Sequence, residues 1–411
     1  MGQAPRASII SMAFVVTGNL LGAGILALPV NTGLSGFIPS LVSILLMWAA
    51  MFSTALILAS QKHFAESPTA DLPSFFGAEL GAAGKWITVL ANLVILYGLL
   101  TAYLSGAASV LEDILGAKVP GWALLAGFFL VASLLTVFGM KIMSRCNAVL
   151  MVFLFASFIL LVIFAARFMK PERLVYTDWS YLPATLPIVV TAFHFHNIIP
   201  TICRSMNFDF KAAAKAMFIG MGIGFVMNSL WVLVAVGALP LAGSGSDTLL
   251  HTFQTNLPAT VPLADLIRSP AFTIGAMMFA LVAITTSFMA NGTALLGFVS
   301  DLTTRNGRTP SRIVVLFLAL GPPLLIALVY PAIFLKALDV VGGVGIVVIF
   351  GILPGVLLAK QHRGKLRLAG IVLVAVFSVV LLYEIGQETG MLRIEPAAEY
   401  WHTGSPHVVP Q

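Results

Sequence analysis

Gly18-Asn19-Leu20-Leu21-Gly22-Ala23-Gly24-Ile25-Leu26-Ala27-Leu28-Pro29 decides how this chain is read. The stretch sits inside an apolar run of about residues 9–31, long enough to cross a bilayer as a helix. Three glycines and a proline weaken a helix at that depth. A break there frees N–H groups on one half-helix and C=O groups on the other. The N–H end carries partial positive charge and can hold a carboxylate. The C=O end can hold an ammonium or a metal cation. A zwitterion such as an amino acid fits that pair of ends without any charged side chain. Glycine lets it approach the backbone with no Cβ in the way. Gly18-x-x-x-Gly22 also matches the small-residue motif by which membrane helices pack, so packing is the competing explanation.

The rest of the chain is built in the same solvent. Of 411 residues, 59% are hydrophobic and 9% charged, and the mean hydropathy is +1.01. So few charges cannot cover a water-facing surface of this size. Nucleic-acid binding is excluded as a main activity, and the net charge of +6 reads as loop bias. Two cysteines exclude a disulfide framework. Cys146 and Cys203 fall at expected cytoplasmic helix ends, as free thiols. The first apolar run is too long and too rich in glycine for a cleaved signal peptide, so it is expected to stay in the mature protein.

Apolar runs predict eleven spans, at about 9–31, 36–60, 86–110, 121–140, 147–166, 183–203, 214–237, 271–299, 312–330, 333–358 and 367–384. The runs are continuous rather than alternating, which argues for helices and against a β-barrel. With the N-terminus inside, fifteen of the 22 Lys and Arg fall on the cytoplasmic side and seven outside. Arg167, Lys170 and Arg173 dissent. An odd span count then places the polar tail, 385–411, outside. The loop of about 238–270 is either a lid or a plain connection, and Pro262 is expected to open a short helix within it.

Span 6 reads Phe193-His194-Phe195-His196-Asn197-Ile198-Ile199-Pro200. Aligning Pro29 with Pro200 sets Gly22, Ala23 and Gly24 on Phe193, His194 and Phe195. These six residues are the first candidates for a substrate site. Spans 1–5 and 6–10 (about 9–168 and 183–358) then form two halves of opposite orientation. Interruptions at matching places are the signature of an inverted-repeat transporter, with 367–384 as an extra helix. The two breaks together favour binding over packing as the role of the glycines.

His194 and His196 are the only ionisable residues near the centre of any span. One is expected to face the cavity and one to pack. At i and i+2 on a helix they do not share a face, and no third ligand is near, so no metal or other cofactor is expected. Thr286 and Ser287 in span 8 can ligate a small hard cation, or bond back to their own helix. Asn19, Tyr97, Ser287 and Asn291 are further candidates for the cavity. Asn92 and Asn228 serve equally as cavity residues or as interhelical contacts. Lys336 and Asp339 are an outer gate or a local i,i+3 ion pair.

Gly18–Val30 resembles the first helix of the tryptophan/tyrosine permeases, within the amino acid–polyamine–organocation superfamily. Phe195-His196-Asn197-Ile198-Ile199-Pro200 and Gly321-Pro322-Pro323-Leu324-Leu325-Ile326-Ala327-Leu328-Val329-Tyr330-Pro331 resemble parts of that family's spans 6 and 9. The resemblance implies an all-α, five-plus-five inverted-repeat fold with an eleventh helix. It implies proton-coupled uptake of aromatic amino acids across a bacterial inner membrane. The family usually has glycine where His194 stands, and its span 8 ends in Ala-Asp where this chain has Ser300-Asp301. Proton symport through His194 or His196 is therefore weighed against sodium symport of another neutral amino acid through Thr286 and Ser287. A membrane enzyme would need clustered acid–base or metal ligands, and a channel a continuous polar lining. Neither is evident. The expected partners are an amino acid, a proton or sodium ion and membrane lipids.

Overall fold

The computed structural model describes residues 7–61, 72–115, 119–138, 140–243, 245–304, 310–392 and 395. Among them the chain is helical, with no strand. Span 1 is two helices, α1 (Ile9–Leu20) and α2 (Ala23–Gly33), bent by 57° at Leu21–Gly22. Span 2 is α3 (Phe37–Ala59) and span 3 is α4 (Leu72–Leu115). Span 3 starts earlier than its hydropathy predicts, with a kink at Gly81, whose φ of 79° favours glycine. Spans 4 and 5 are α5 (Gly121–Phe138) and α6 (Met140–Ala166). The side chain of Cys146 lies outside those described, whereas Cys203 is a buried free thiol.

Span 6 is broken as well, into α7 (Leu182–Ala192) and α8 (Ile199–Ser205). Span 7 is α9 (Phe210–Ala238), opened by Asp209, whose carboxylate accepts from Ala212 N–H. Two short helices follow, α10 (Leu249–Gln254) and α11 (Thr260–Ile267). Pro262 is thus the third residue of its helix, not the first. The loop is tied to span 1: Ala259 N–H donates to Leu26 O at 2.9 Å, and Leu249 packs on Gly33. Spans 8 and 9 are α12 (Pro270–Thr303) and α13 (Arg312–Val329). Span 10 runs from α14 (Phe334–Val340) through a π-helical stretch, Val341–Ile352, into α15 (Leu353–Gln361). Span 11 is α16 (Lys365–Glu388). Apart from Glu395, the tail beyond residue 392 lies outside the described residues.

Among the described residues nine helical stretches, with spans 6 and 10 each taken whole, are long and apolar enough to cross a membrane, and α1–α2 makes a tenth. The fifth expected span has 17 residues in its described apolar part, Leu150–Ala166. The chain is a multi-pass membrane protein. Phe138 and Phe317 are 72% and 74% exposed, which suits lipid and not water. Every residue of α2 is buried, and spans 6 and 10 are the other inner helices. Span 10 can press on span 6 because Gly342 lacks a Cβ, which would run into Pro187 O. Arg173 dissents from the charge bias for a structural reason. Its guanidinium donates to Ala238 O at the C-terminal end of α9, where a cation is favoured.

Candidate functional site

The two breaks meet at one cavity of about 260 Å³. The last turn of α1 and the first of α2 form one wall, from Gly18 and Asn19 to Gly22, Ala23 and Gly24. Leu21 N–H still bonds Thr17 O at 3.1 Å, but Gly22 is extended (φ −80°, ψ −159°) and the ladder stops there. The first N–H groups of α2 therefore face the cavity without a preceding turn. Gly22 is glycine because a Cβ there would stand 2.9 Å from Ser287 Oγ. Gly24 has another reason. Its Cβ would stand 3.0 Å from Ala192 Cα, so it lets span 6 approach span 1. Gly24 thus has a packing role, whatever its part in the approach of a ligand.

The break in span 6 is longer. Phe193 and Phe195 leave helical geometry, His194 N–H reaches only to Thr191 O at 3.2 Å, and His196–Ile198 is a tight 3₁₀ turn. Both phenylalanines are fully buried and do not line the cavity. His194 does, and its Nε2 has no hydrogen-bond partner. His196 does not. Its Nε2 lies 3.1 Å from Met51 O, which can only accept, so this nitrogen carries the proton. Thr54 Oγ1 is 3.0 Å from the same nitrogen, and His196 thereby ties span 6 to span 2.

Span 8 supplies the opposite wall. Ser287 hydrogen-bonds the Tyr103 hydroxyl, which also accepts from Asn291 Nδ2 at 3.2 Å. Asn291 Nδ2 donates to Ser287 O at 3.0 Å as well. Thr286 lines the cavity while its hydroxyl donates to Ala283 O at 3.1 Å. Phe14, Leu99, Leu154, Val282 and Met289 add an apolar side. Tyr97 stands elsewhere, its hydroxyl donating to Leu318 O of span 9 at 2.8 Å. Tyr103 was not singled out from sequence. It lies one turn beyond Leu99 on the cavity face of the same helix, a face that only the fold identifies.

Other candidates stand apart. Asn228 is fully buried with both amide atoms unpaired, and Asn92 is half-buried. Lys336 and Asp339 do not pair with each other. Lys336 binds Glu388 at 3.0 Å, and Asp339 accepts from Asn31 Nδ2 at 2.9 and 2.8 Å. Among the described residues no three His, Cys, Asp or Glu gather as metal ligands.

Comparison with known proteins gives this cavity its context. The chain is 28% identical to tyrosine-specific transport system 1 of Haemophilus influenzae, over 81% of this chain and 83% of that protein. It is 26% identical to a tryptophan-specific transport protein of the same organism, over 89% and 90%. It is 25% identical to glutamine transporter 2 of Aliivibrio fischeri, over 72% and 75%. Such relatives are transporters and not enzymes. The match to the tryptophan/tyrosine permease family runs over residues 6–387, and the chain belongs to that family.

Proposed function

We propose that this permease imports an aromatic amino acid, tyrosine or tryptophan, by proton symport with alternating access across a bacterial inner membrane. Its halves, about 9–168 and 183–358, would be the inverted repeats that rock about the cavity, with the N-terminus cytoplasmic. The observation that carries this reading is the cavity at the break of span 1. The α-carboxylate is assigned to the N–H groups at the start of α2, near Ala23 and Gly24. The ammonium goes to the carbonyl end of α1 near Asn19, with Ser287 beside it. The apolar wall of Phe14, Leu99 and Val282 receives the ring. The cavity is close to the small end of known ligand sites, about 300 Å³, which suits one amino acid. The names of the tyrosine and tryptophan relatives support an aromatic substrate; the glutamine relative is the reason to test it.

Proton coupling is supported by His194, an unpaired imidazole on the cavity wall. His196 is committed to span 2. The test is uptake of labelled tyrosine into proteoliposomes, with all twenty amino acids as competitors. An inside-alkaline pH gradient without sodium is expected to drive accumulation, competed only by aromatic amino acids. Accumulation that needs sodium and ignores the pH gradient would move coupling to Thr286 and Ser287.

A further inference from the structure

A second cavity, of about 370 Å³, lies at the far end of α2 from the first. Spans 1, 10 and 11 meet there, with Tyr181 ahead of span 6. Four carboxylates line it, Asp339, Glu384, Glu388 and Glu395, against one ammonium, Lys336. Lys336 is more than half exposed and bound to Glu388, so it reaches the others only from the rim. Asn31 donates to both oxygens of Asp339, which holds that carboxyl as an acceptor.

Glu384 is the group left over. It is 4% exposed, lines the cavity, and has no hydrogen-bond partner among the described residues. Its side chain lies against Gly343, one turn beyond Asp339, where a Cβ would stand 2.6 Å from its Cγ. The negative charge of Glu388 acts on both Glu384 and Asp339, that of Glu384 acts on Asp339, and the ammonium of Lys336 opposes them at Glu384. The phenols of Tyr383 and Tyr181 are the other titratable groups at the site, with Asp178 behind Tyr181. A buried carboxylate with no donor, and with only the solvated ammonium of Lys336 already bound to Glu388 to attract it, is costly, and two neighbouring carboxyls relieve the cost by holding one proton between them.

We propose that Glu384, beside the Asp339–Asn31 pair, is a proton-binding site of this transporter. The reading rests on the proton symport proposed above, and the cytoplasmic N-terminus proposed with it puts this cavity on the outer face. A proton taken from that side neutralises Glu384 next to the Asp339 carboxylate. Asn31 belongs to α2, whose other end borders the substrate cavity. The eight residues from Ala23 to Asn31 span about 12 Å of one helix, so the two sites share a rigid element. Protonation of Glu384 relaxes the repulsion between spans 10 and 11 and alters what holds the outer end of α2.

Infrared difference spectroscopy on the full chain in lipid tests the site itself. The wild type is expected to show the carbonyl stretch of a buried protonated carboxylic acid at neutral pH, and Glu384→Gln to lack it. In Asp339→Asn the band is expected to disappear at a lower pH, because the neighbouring negative charge is gone. No such band in the wild type, or an unchanged band in Glu384→Gln, would overturn the proposal. Transport tests its role. A one-unit pH gradient coupled one-for-one sustains about tenfold accumulation of tyrosine in the wild type. Glu384→Gln is expected to accumulate none, yet to exchange internal for external tyrosine within about twofold of the wild-type rate. Retained exchange also shows that the variant is folded. Full accumulation by Glu384→Gln would contradict the role. A wild type that ignores the pH gradient would instead remove the symport reading, while the infrared result still decides whether Glu384 holds a proton.

Discussion

The breaks in spans 1 and 6 solve the same geometric problem in opposite ways. Span 1 is interrupted over Leu21 and Gly22 alone, and bare backbone faces the cavity. Span 6 is interrupted from Phe193 to Ile198, and most of the gap is filled with side chains. Phe193 and Phe195 are buried in protein, His196 is bonded to span 2, and only His194 reaches the cavity. A backbone break supplies oriented dipoles at no steric cost, so span 1 suits a charged ligand. A break plugged by rings supplies shape and a titratable edge. On the proposed function, the difference gives recognition of the α-carboxylate to span 1 and leaves span 6 to hold the scaffold and offer one imidazole.

The largest effect is expected where the two breaks touch. Gly24→Val forces a branched side chain against Ala192 Cα, 3.0 Å from the Cβ position. It should destabilise the fold by about 3 kcal/mol and lower the melting temperature, besides abolishing binding. A variant with unchanged thermal stability that only lost binding would show that Gly24 serves the ligand alone.

The histidines divide next. His196→Ala removes the bonds to Met51 and Thr54 and is expected to cost about 1–2 kcal/mol of stability in detergent. His194→Ala empties space beside Phe350 but breaks no hydrogen bond, so it should cost less stability than His196→Ala and alter the pH profile of uptake. Equal destabilisation by both would erase the distinction between plug and edge.

A smaller effect is expected on the span 8 side. Tyr103→Phe deletes the hydroxyl that joins Ser287 and Asn291, and should weaken tyrosine binding by about fivefold, or 1 kcal/mol. Tyr97→Phe should not change affinity, since that hydroxyl is spent on Leu318 O. Reversed results would exchange the two tyrosines.

Composition and the glycines made the spans and the first break legible in the sequence, because lipid forces helices and glycine weakens them. The upstream edges of the two breaks also align within a residue. Their downstream edges do not. Pro29 is the seventh residue of α2, whereas Pro200 is the second of α8, so the prolines play different parts. Pro200 starts a helix, as its missing N–H allows, while Pro29 is carried within one. Tyr97 and Tyr103 could not be ranked from sequence, because both lie in one apolar helix and the cavity face is set by neighbouring spans. The pairing of Lys336 with Glu388 was hidden for the same reason. Its partner is in the last span, far along the chain, whereas Asp339 was the partner in sight.

On the proposed function, bare backbone at the break of span 1 holds the substrate's carboxylate. Equilibrium binding of labelled tyrosine, competed by tryptophan and by tyramine, tests it most directly in the wild type and in Gly22→Ala. Tyramine keeps the ring and the ammonium but lacks the carboxylate. Tryptophan is expected to displace tyrosine and tyramine to fail. Gly22→Ala, which crowds Ser287 Oγ at 2.9 Å, is expected to lose binding about tenfold with little change in melting temperature. Displacement by tyramine as strong as by tryptophan, with Gly22→Ala binding like the wild type, would contradict it.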